Sequence, residues 1–460
     1  MPAVLLGHAA YRREAGHGPP ILLQNRFLES DPTNAIDGTA LLPRPGLAAF
    51  AEAGDGPIRG LYRQAGVLDG DWLAVSGPDL WRVTAKGAAR RIGRIGGEGG
   101  VEFASDGEAT FIAAGSLHLY DGTSLSQVAT PDDVPIVSLA QANGYFLLQA
   151  AGSGRFFWIE PGETTIDPLN FATAERLPDP GVAIRAAGDF IVLMNAGSTE
   201  IWAPTGDADA PFQRQAGLLF DKGCSDRRTA VNLDGGLFWV SESAGEGRAV
   251  YRGAPGAPVR ISGHGIEEAM RGALGLSAFA FLLDGHAFYA LRIEGRGTFL
   301  YDAATGAWCE FTSPDRANWR VSCAAGAPGG PLLLGDDETG RLWRLDPERG
   351  DDDGEPIRRV ATGRIPWPAG RGVIDSLTLT ASTGWTPGLA DDPRISLRIA
   401  RDGFSFGDPR DRSLGRRGAF GRRVRWERLG EVRAPGLVVE LADSGPAQTR
   451  ISGCRFNEAP

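Results

Sequence analysis

The sequence predicts an all-β protein with a β-propeller-like repeat domain of six to seven hairpin or meander units and a C-terminal β-sandwich-like domain. Three observations support this fold class. A short apolar strand, a glycine and a second strand that ends in Trp or Tyr recur seven times. Longer strands that alternate apolar and polar residues follow the repeats, and helical periodicity is scarce throughout.

The repeats have the length of a propeller blade. The spacings between their terminal aromatic residues are 39, 38, 44, 49, 50 and 42 residues, with a mean of about 44. Gly, Asp and Asn, which accept the positive φ of tight hairpins, bound each apolar run. A β-sandwich with a coincidental period is the alternative interpretation. The terminal aromatic residues are Trp81, Tyr120, Trp158, Trp202, Tyr251, Tyr301 and Trp343.

Changes in this pattern divide the chain into four segments. Residues 1–60 are rich in Pro and Gly and lack the repeat, so we expect an N-terminal arm or an irregular first blade. Residues 61–350 carry the repeats and are expected to form the propeller-like domain. Residues 351–364 begin with the acidic stretch Asp351–Glu355 and are expected to form a linker. Residues 365–460 have the alternation of a sheet with one face in water, which predicts the sandwich-like domain.

Composition excludes several classes of protein. The net charge of −10 argues against general nucleic-acid binding through a basic surface. No apolar run approaches the 18 or so residues that span a bilayer, and the N-terminus does not resemble a secretory signal, so we expect synthesis in a cytoplasm and no membrane segment. The four cysteines have no C-x-x-C spacing, and buried free thiols are the expected state.

Sequence signs of catalysis are also missing. No two histidines have the i, i+4 spacing of a helical metal site, and no phosphate-binding loop or nucleophile elbow is found. The stretch Asp336–Glu338 is typical of a charged turn, and Asp351–Glu355 lacks the alternating spacing of a calcium loop. We therefore predict that the protein is not an enzyme and has no catalytic residues, cofactor or metal site.

One segment has a charge opposite to that of the whole chain. Between Arg394 and Arg433, twelve arginines face five acids, a local balance of +7. A solvated loop in an arginine-rich protein is one explanation. The other is a docking loop for an acidic neighbouring subunit or for passing DNA, because guanidinium groups suit carboxylates and phosphates. The candidate partner-interface residues are Arg416, Arg417, Phe420, Arg422 and Arg423.

A series of short sequence fragments extends, in a specific order, along nearly the whole chain. They include Asn25–Glu29, Leu42–Leu47, Gly188–Val192, Ser198–Trp202 and Arg423–Gly430. Together they resemble the packaged-DNA stabilisation proteins, also described as tail hub or nozzle proteins, of short-tailed bacteriophages. The chain departs from this pattern at Ala400-Arg401, where a Ser-Asp-like pair is expected.

The resemblance implies a structural role in the virion tail. Such proteins form a homo-oligomeric ring, typically a hexamer, below the portal and its adaptor proteins. The ring extends the channel for double-stranded DNA, which passes without sequence specificity, retains the packaged genome, and carries tail needle, tailspike or fibre proteins. Two alternatives remain at this stage: a soluble β-propeller lectin or scaffold, and a glycan-processing propeller enzyme.

Overall fold

Strands dominate the structure. The computed structural model of the chain describes residues 4, 6–7, 22–31, 38–174, 179–253, 255–326, 330–385 and 392–457. This part of the chain contains one α-helix, α1 (His264–Met270). Three single-turn 3-10 helices lie at Leu68–Gly70, Pro131–Asp133 and Arg227–Thr229. All other elements are β-strands, which confirms the predicted all-β class.

The strands are numbered in chain order. The N-terminal strands are β1 (Leu23–Gln24), β2 (Arg26–Ser30), β3 (Thr39–Pro43) and β4 (Gly46–Glu52). Blades 1 to 3 contain β5 (Ile58–Tyr62), β6 (Trp72–Ser76), β7 (Asp79–Val83), β8 (Ala89–Arg94), β9 (Glu102–Ser105), β10 (Thr110–Ala113), β11 (Leu117–Tyr120), β12 (Leu125–Gln127), β13 (Ile136–Ala142), β14 (Tyr145–Ala150), β15 (Arg155–Ile159) and β16 (Phe171–Thr173).

Blades 4 to 6 contain β17 (Gly181–Ala187), β18 (Phe190–Asn195), β19 (Thr199–Pro204), β20 (Phe212–Phe220), β21 (Val231–Leu233), β22 (Gly236–Ser243), β23 (Gly247–Gly253), β24 (Val259–Arg260), β25 (Leu276–Leu283), β26 (His286–Ile293), β27 (Gly297–Asp302) and β28 (Trp308–Phe311). The remaining strands are β29 (Val321–Ala325), β30 (Leu333–Asp336), β31 (Arg341–Asp346), β32 (Asp351–Asp352), β33 (Glu355–Pro356), β34 (Arg358–Pro366), β35 (Arg371–Ala381), β36 (Arg394–Ala400), β37 (Arg410–Ser413), β38 (Val424–Arg433), β39 (Gly436–Ser444) and β40 (Ile451–Phe456).

Seven antiparallel sheets of four strands form a β-propeller. Six of them are built from consecutive strands, from β5–β8 to β25–β28. First strands contact each other between blades 2 and 3, 3 and 4, 5 and 6, and 6 and 7, and β29 of blade 7 lies against β5 of blade 1. Buried apolar side chains join blade 1 to blade 2 and blade 4 to blade 5. The ring of blades is therefore closed, and only short strand edges face the solvent.

The N-terminal segment completes the last blade. Strand β4 pairs antiparallel with β31, with Ala51 opposite Leu342 and Ala48 opposite Arg344. Blade 7 thus consists of β29, β30, β31 and β4. Because its outer strand comes from the opposite end of the repeat region, separation of blades 1 and 7 would break main-chain hydrogen bonds as well as side-chain packing.

Aromatic side chains fill the spaces between blades. The rings of Phe111 in blade 2 and Phe146 in blade 3 lie 4.7 Å apart. Phe156 of blade 3 and Trp202 of blade 4 have centroids 5.3 Å apart, at an interplanar angle of 84°. Such edge-to-face pairs add to the free energy gained by burial of the rings. The seven aromatic residues that ended the sequence repeats all lie in the third strand of a blade, from Trp81 in β7 to Trp343 in β31.

The second domain is a sandwich of two five-stranded sheets. One sheet has the order β1-β34-β39-β36-β37 and the other β2-β3-β40-β35-β38. Strands β1 to β3 therefore belong to this sandwich, and the propeller is an insertion between β3 and β34. The alternation of apolar and polar residues in the sequence did not predict that β1 to β3 pair with the C-terminal strands. The boundaries expected from the sequence, at residues 60, 350 and 364, stay a prediction.

The two domains share one hydrophobic core. Buried side chains from blades 6 and 7, including Phe288 and Trp319, are continuous with Phe27, Trp426 and Leu437 of the sandwich. Gln24 of β1 pairs with Glu310 of β28, so the first sandwich sheet also continues into blade 6. Because core packing and main-chain pairing both cross the boundary, the propeller and the sandwich are held in a fixed relative orientation.

Candidate functional site

A buried ion pair lies where the sandwich meets blades 6 and 7. The Nη1 and Nη2 atoms of Arg44 each lie 2.9 Å from one carboxylate oxygen of Asp352. Both side chains are fully buried. Arg44 Nε donates to Asn25 Oδ1 at 3.0 Å, and the remaining guanidinium hydrogens reach the carbonyls of Pro45 and Thr312. All five donors of this guanidinium are satisfied, which is the condition under which a buried arginine is stable.

Asn25 connects three segments at this junction. Its Nδ2 donates to Thr312 Oγ1 at 3.0 Å and to the Arg358 carbonyl at 2.8 Å. Its Oδ1 accepts from the Thr312 backbone N–H at 2.9 Å as well as from Arg44. Asn25 also has φ of 53°, a left-handed conformation that Asn tolerates better than most residues. An Asn at this position therefore satisfies both the backbone geometry and the polar partners.

A second ionic cluster fixes the sandwich sheets to each other. Asp443 of β39 contacts the guanidinium of Arg26 in β2 and lies 3.1 Å from Arg359 Nη1 in β34. Arg359 is fully buried, and this burial lowers its pKa, although the Asp443 charge acts to raise it. The Asn25–Glu29 fragment that contributed to the family resemblance thus supplies residues to both buried clusters.

The propeller axis contains a third charged cluster. The carboxylate of Glu102 in β9 accepts from Ser138 Oγ of blade 3 at 2.8 Å and from Arg185 Nη2 of blade 4 at 2.9 Å. Arg185 Nε reaches the Ala230 carbonyl just before blade 5 at 2.9 Å. Glu102 and Arg185 therefore connect four successive blades near the centre of the ring.

A cavity of about 550 Å³ opens at the propeller axis. Residues that begin the first strands of blades 1, 6 and 7 contribute to its lining, together with the connection between blades 1 and 2. Basic and acidic side chains are equally numerous there, so the lining has no excess of either charge. The charged lining residues are Arg59, Arg228, Arg292, Glu98, Glu294 and Asp337.

The Asp336–Glu338 carboxylates are held in ion pairs. Asp336 accepts from Arg320 Nε at 2.8 Å and from Trp343 Nε1 at 2.9 Å. Burial acts to raise the Asp336 pKa, but hydrogen bonds from backbone N–H groups and the Arg320 charge lower it overall. Asp337 lies 2.5 Å from Arg292 and 2.9 Å from Arg316. These contacts join blade 7 to blade 6 and occupy the carboxylate oxygens with structural partners.

The Asp351–Glu355 stretch is a short hairpin. Strand β32 pairs with β33 and with β4, and Asp353 and Gly354 have positive φ values of 54° and 97° at the turn. Asp352 points into the junction, whereas Asp353 lies 3.0 Å from Arg341 at the surface. Within the described residues, no cluster of three or more metal-ligating side chains is found.

The five partner-interface candidates lie in one exposed loop of the sandwich. The loop spans residues 414–423 between β37 and β38, and it packs on the turn after β35, where Gly418 N donates to the Gly384 carbonyl at 3.1 Å. Phe420 is 63% exposed and its ring lies 5.6 Å from that of Trp385, which is 67% exposed. All four arginines are exposed as well. We call Trp385 together with residues 414–423 the arginine tip.

The arginine tip differs from neighbouring basic residues. Among the described residues, Arg416, Arg417 and Arg422 have no ion-pair partner, whereas Arg398 pairs with Glu440 at 3.2 Å and Arg433 with Glu431 at 2.6 Å. Trp385 was not among the sequence candidates. The sequence feature that could have identified Trp385 is a large aromatic residue directly after Gly384 in an otherwise polar connection.

Buried interdomain residues were also missed. Asp352 lies in the segment that was predicted to be an acidic linker, and no role was predicted for Arg44. Their sequence separation of 308 residues leaves no local pattern that could pair them.

Within the described residues, no helix has the length and hydropathy that a membrane span requires.

A family model described as Bacteriophage P22 Gp10, beta-propeller matches residues 21–349, and one described as Bacteriophage P22 Gp10, beta-sandwich matches residues 359–456. A search of curated protein sequences found no match.

Several solved structures are similar to parts of the chain. The extracellular domain of the putative hybrid two component system BT4673 from B. thetaiotaomicron is 10% identical over 73% of this chain and 43% of that chain, with a TM-score of 0.45. The chain thus spans less than half the length of that protein. The WD40 beta propeller domain of Doa1 is 14% identical over 65% of this chain and 98% of that chain, with a TM-score of 0.43. The two family models cover both domains in order, and the chain therefore belongs to the bacteriophage P22 Gp10 family of packaged-DNA stabilisation, or tail hub, proteins of short-tailed phages.

Proposed function

We propose that the protein is a structural component of a short phage tail, in which copies form a ring below the portal and its adaptor. The ring extends the DNA channel and retains the packaged genome. The observation that carries this proposal is the match of both P22 Gp10 family models, in order, over residues 21–349 and 359–456. A hexamer is the ring size that the family resemblance implies.

The rigidity of the chain supports this role. Identical subunits close into a ring only if the two contact surfaces of each subunit keep a fixed angle to each other. The Arg44–Asp352 pair and the shared core provide this stiffness between the propeller and the sandwich. The net charge of −10 favours a conduit along which DNA slides without adhering, since a strongly basic bore would bind phosphates.

The proposed mechanism is steric and electrostatic, and no covalent bond is broken. Asp337, one of three carboxylates that line the axial cavity, is bound by Arg292 and Arg316, so its oxygens are not free for the acid–base role of a glycan-processing enzyme. The proposed partners are portal-adaptor proteins above the ring and needle, tailspike or fibre proteins attached to it. After synthesis in the host cytoplasm, the chain would be incorporated into the virion tail.

Inactivation of the gene in the phage that encodes it tests the proposal. We expect heads that package DNA and then lose it, measured as a fall in nuclease-protected DNA per particle. Supply of the wild-type chain from a plasmid should restore DNA retention and infectivity.

Infectious particles that hold a full genome and lack the protein would contradict the proposal. A monomeric chain absent from purified virions would favour the lectin or scaffold alternative. Release of sugars from bacterial surface glycans by the purified chain would favour the enzyme alternative.

A further inference from the structure

A second exposed apolar surface lies on the outer edge of blade 3. Leu169 is 82% exposed and Phe171 is 40% exposed, at the start of the outermost strand β16. Hydrogen bonds within the preceding connection hold them in place, since the Leu169 N–H donates to Asp167 Oδ1 at 2.8 Å and Asn170 Nδ2 donates to Glu160 Oε1 at 3.2 Å. We call residues 131–133 and 160–173 the blade-3 rim.

The blade-3 rim is acidic. Blade 3, from residue 131 to residue 174, carries five carboxylates and a single arginine, Arg155. The Arg155 guanidinium lies 4.8 Å from the centre of the Phe171 ring and 3.8 Å from Asp132. The five carboxylates are Asp132, Asp133, Glu160, Glu163 and Asp167, and of these Glu160 and Asp167 hydrogen bond to the stretch that carries the exposed apolar residues.

The blade-3 rim and the arginine tip lie on different sides of the molecule. The sandwich joins the propeller through β28 of blade 6 and through β4 and β32 of blade 7. In a closed ring of seven blades, blade 3 is three positions from blade 6 and three from blade 7. It is therefore the blade farthest from the sandwich that carries the arginine tip.

We propose that the arginine tip of one copy docks on the blade-3 rim of the next copy, so that this contact holds the ring together. The proposal rests on the ring-forming function proposed above. A contact between two different surfaces of one chain is head-to-tail, and such contacts produce closed rings when the rotation between copies closes.

Charge and apolar exposure are complementary in this pairing. The arginine-rich segment 394–433 has a balance of +7, which leaves −17 on the rest of the chain. Arg416, Arg417 and Arg422 would meet carboxylates, while Trp385 and Phe420 would cover Leu169 and Phe171. Aromatic residues and arginine are the residue types enriched where protein interfaces are strongest.

A neighbouring copy explains the arginine tip better than DNA does. Phosphate contacts account for the arginines, but they leave two large exposed aromatic rings without an apolar partner. The blade-3 rim supplies both a carboxylate cluster and an apolar surface. Binding of DNA at the arginine tip is therefore an outcome of the test below and not a second proposal.

A charge-swap experiment on the purified full-length chain tests the contact. The tip variant carries Arg416→Glu and Arg422→Glu, and the rim variant carries Glu160→Arg and Glu163→Arg. Asn170→Ala, which removes the hydrogen bond to Glu160 without a change of charge, controls for the loss of that contact and should assemble as the wild type does. Each variant alone places like charges across the contact, and we expect at least a tenfold weaker assembly, measured by sedimentation velocity. A control with Glu108→Arg and Glu348→Arg, which are exposed residues outside both surfaces, should assemble as the wild type does.

An equimolar mixture of the two variants gives the decisive measurement. The two introduced glutamates of one variant then face the two introduced arginines of the other, and the two unaltered surfaces face each other, so alternating rings should form again. Unchanged melting temperatures would show that the exposed substitutions leave the fold intact.

Three outcomes would overturn the inference. They are a wild-type chain that stays monomeric at every concentration, rings that tolerate both variants, and a tip variant that loses only DNA binding. Rings that tolerate both variants would leave the proposed tail function standing, because a different surface would then join the copies. The DNA-retention experiment on virions tests that function separately.

Discussion

Arg44 and Asp352 form a bidentate ion pair, with both N–O distances 2.9 Å, that is fully buried between the propeller and the sandwich. Arg44 follows the last N-terminal sandwich strand, β3, and Asp352 lies in the hairpin that precedes the return to the sandwich at β34. The pair therefore joins the two places at which the chain passes between the sandwich and the propeller. We therefore expect both the stability of the chain and the orientation of its domains to depend on this contact.

Removal of one partner of this pair should be strongly destabilising. In Asp352→Asn the Arg44 guanidinium keeps its charge in a buried site without a carboxylate. We expect a loss of about 3–5 kcal/mol in the free energy of unfolding, measured by urea denaturation. Arg44→Met combined with Asp352→Leu removes both charges and should be less destabilising than either single change. A double variant as unstable as the sum of the two single variants would contradict this account.

The axial cluster predicts an effect on the propeller. Glu102→Gln removes the charge that Arg185 contacts at 2.9 Å, and both side chains are largely buried. We expect a decrease of about 3 kcal/mol in the free energy of unfolding. The exposed Glu108→Gln in the same blade is the matched control and should change it by less than about 0.5 kcal/mol. Equal stability of the two variants would show that Glu102 does not hold the blades together.

Gly340 is required for closure of blade 7. A Cβ atom at this position would lie 1.7 Å from the Gly54 carbonyl oxygen, so Gly340→Ala must displace the backbone where β4 meets β31. We expect destabilisation of about 1–3 kcal/mol, measured by thermal unfolding. Gly245→Ala is the control, because a Cβ there meets no atom within 4 Å. A normal melting temperature for Gly340→Ala would contradict this role in ring closure.

His286 predicts a pH dependence of stability. Its Nδ1 lies 2.8 Å from Asp302 Oδ2, and this hydrogen bond raises the His286 pKa although burial opposes the rise. Since the folded-state pKa lies above the unfolded value of about 6.5, protonated His286 contributes full stability below that pH. The contribution is lost as the pH rises through the folded-state pKa.

Asp302 determines the pH below which this stabilisation is lost. Burial acts to raise its pKa, but hydrogen bonds from His286, Thr305 and the Ala304 backbone lower it overall. Its contribution is therefore present above about pH 3.9 and is lost as the pH falls through the lowered pKa. Denaturation from about pH 6 to pH 9 should show a steeper loss of stability in the wild type than in His286→Gln. Parallel curves would refute this assignment.

Local sequence patterns were sufficient to predict the blades. Hairpin turns and apolar runs act between residues that are close in the chain, so the seven aromatic positions marked one strand in each blade, and the structure shows that this strand is the third. The exposed arginines of residues 416–423 were likewise recognisable from charge alone, although their role in docking stays a prediction. Trp385 entered the arginine tip only through the packing of the 414–423 loop on the turn at Gly384.

The sequence by itself determined the all-β class, the blade period and the family, because each depends on short-range periodicity or on the order of fragments. Only the tertiary structure decided that β4 completes blade 7, that β1 to β3 belong to the sandwich, and that Arg44 meets Asp352. These contacts join residues up to several hundred positions apart, and their partners are selected by core burial and by the need to satisfy buried polar groups. Such requirements exist only once the chain is folded.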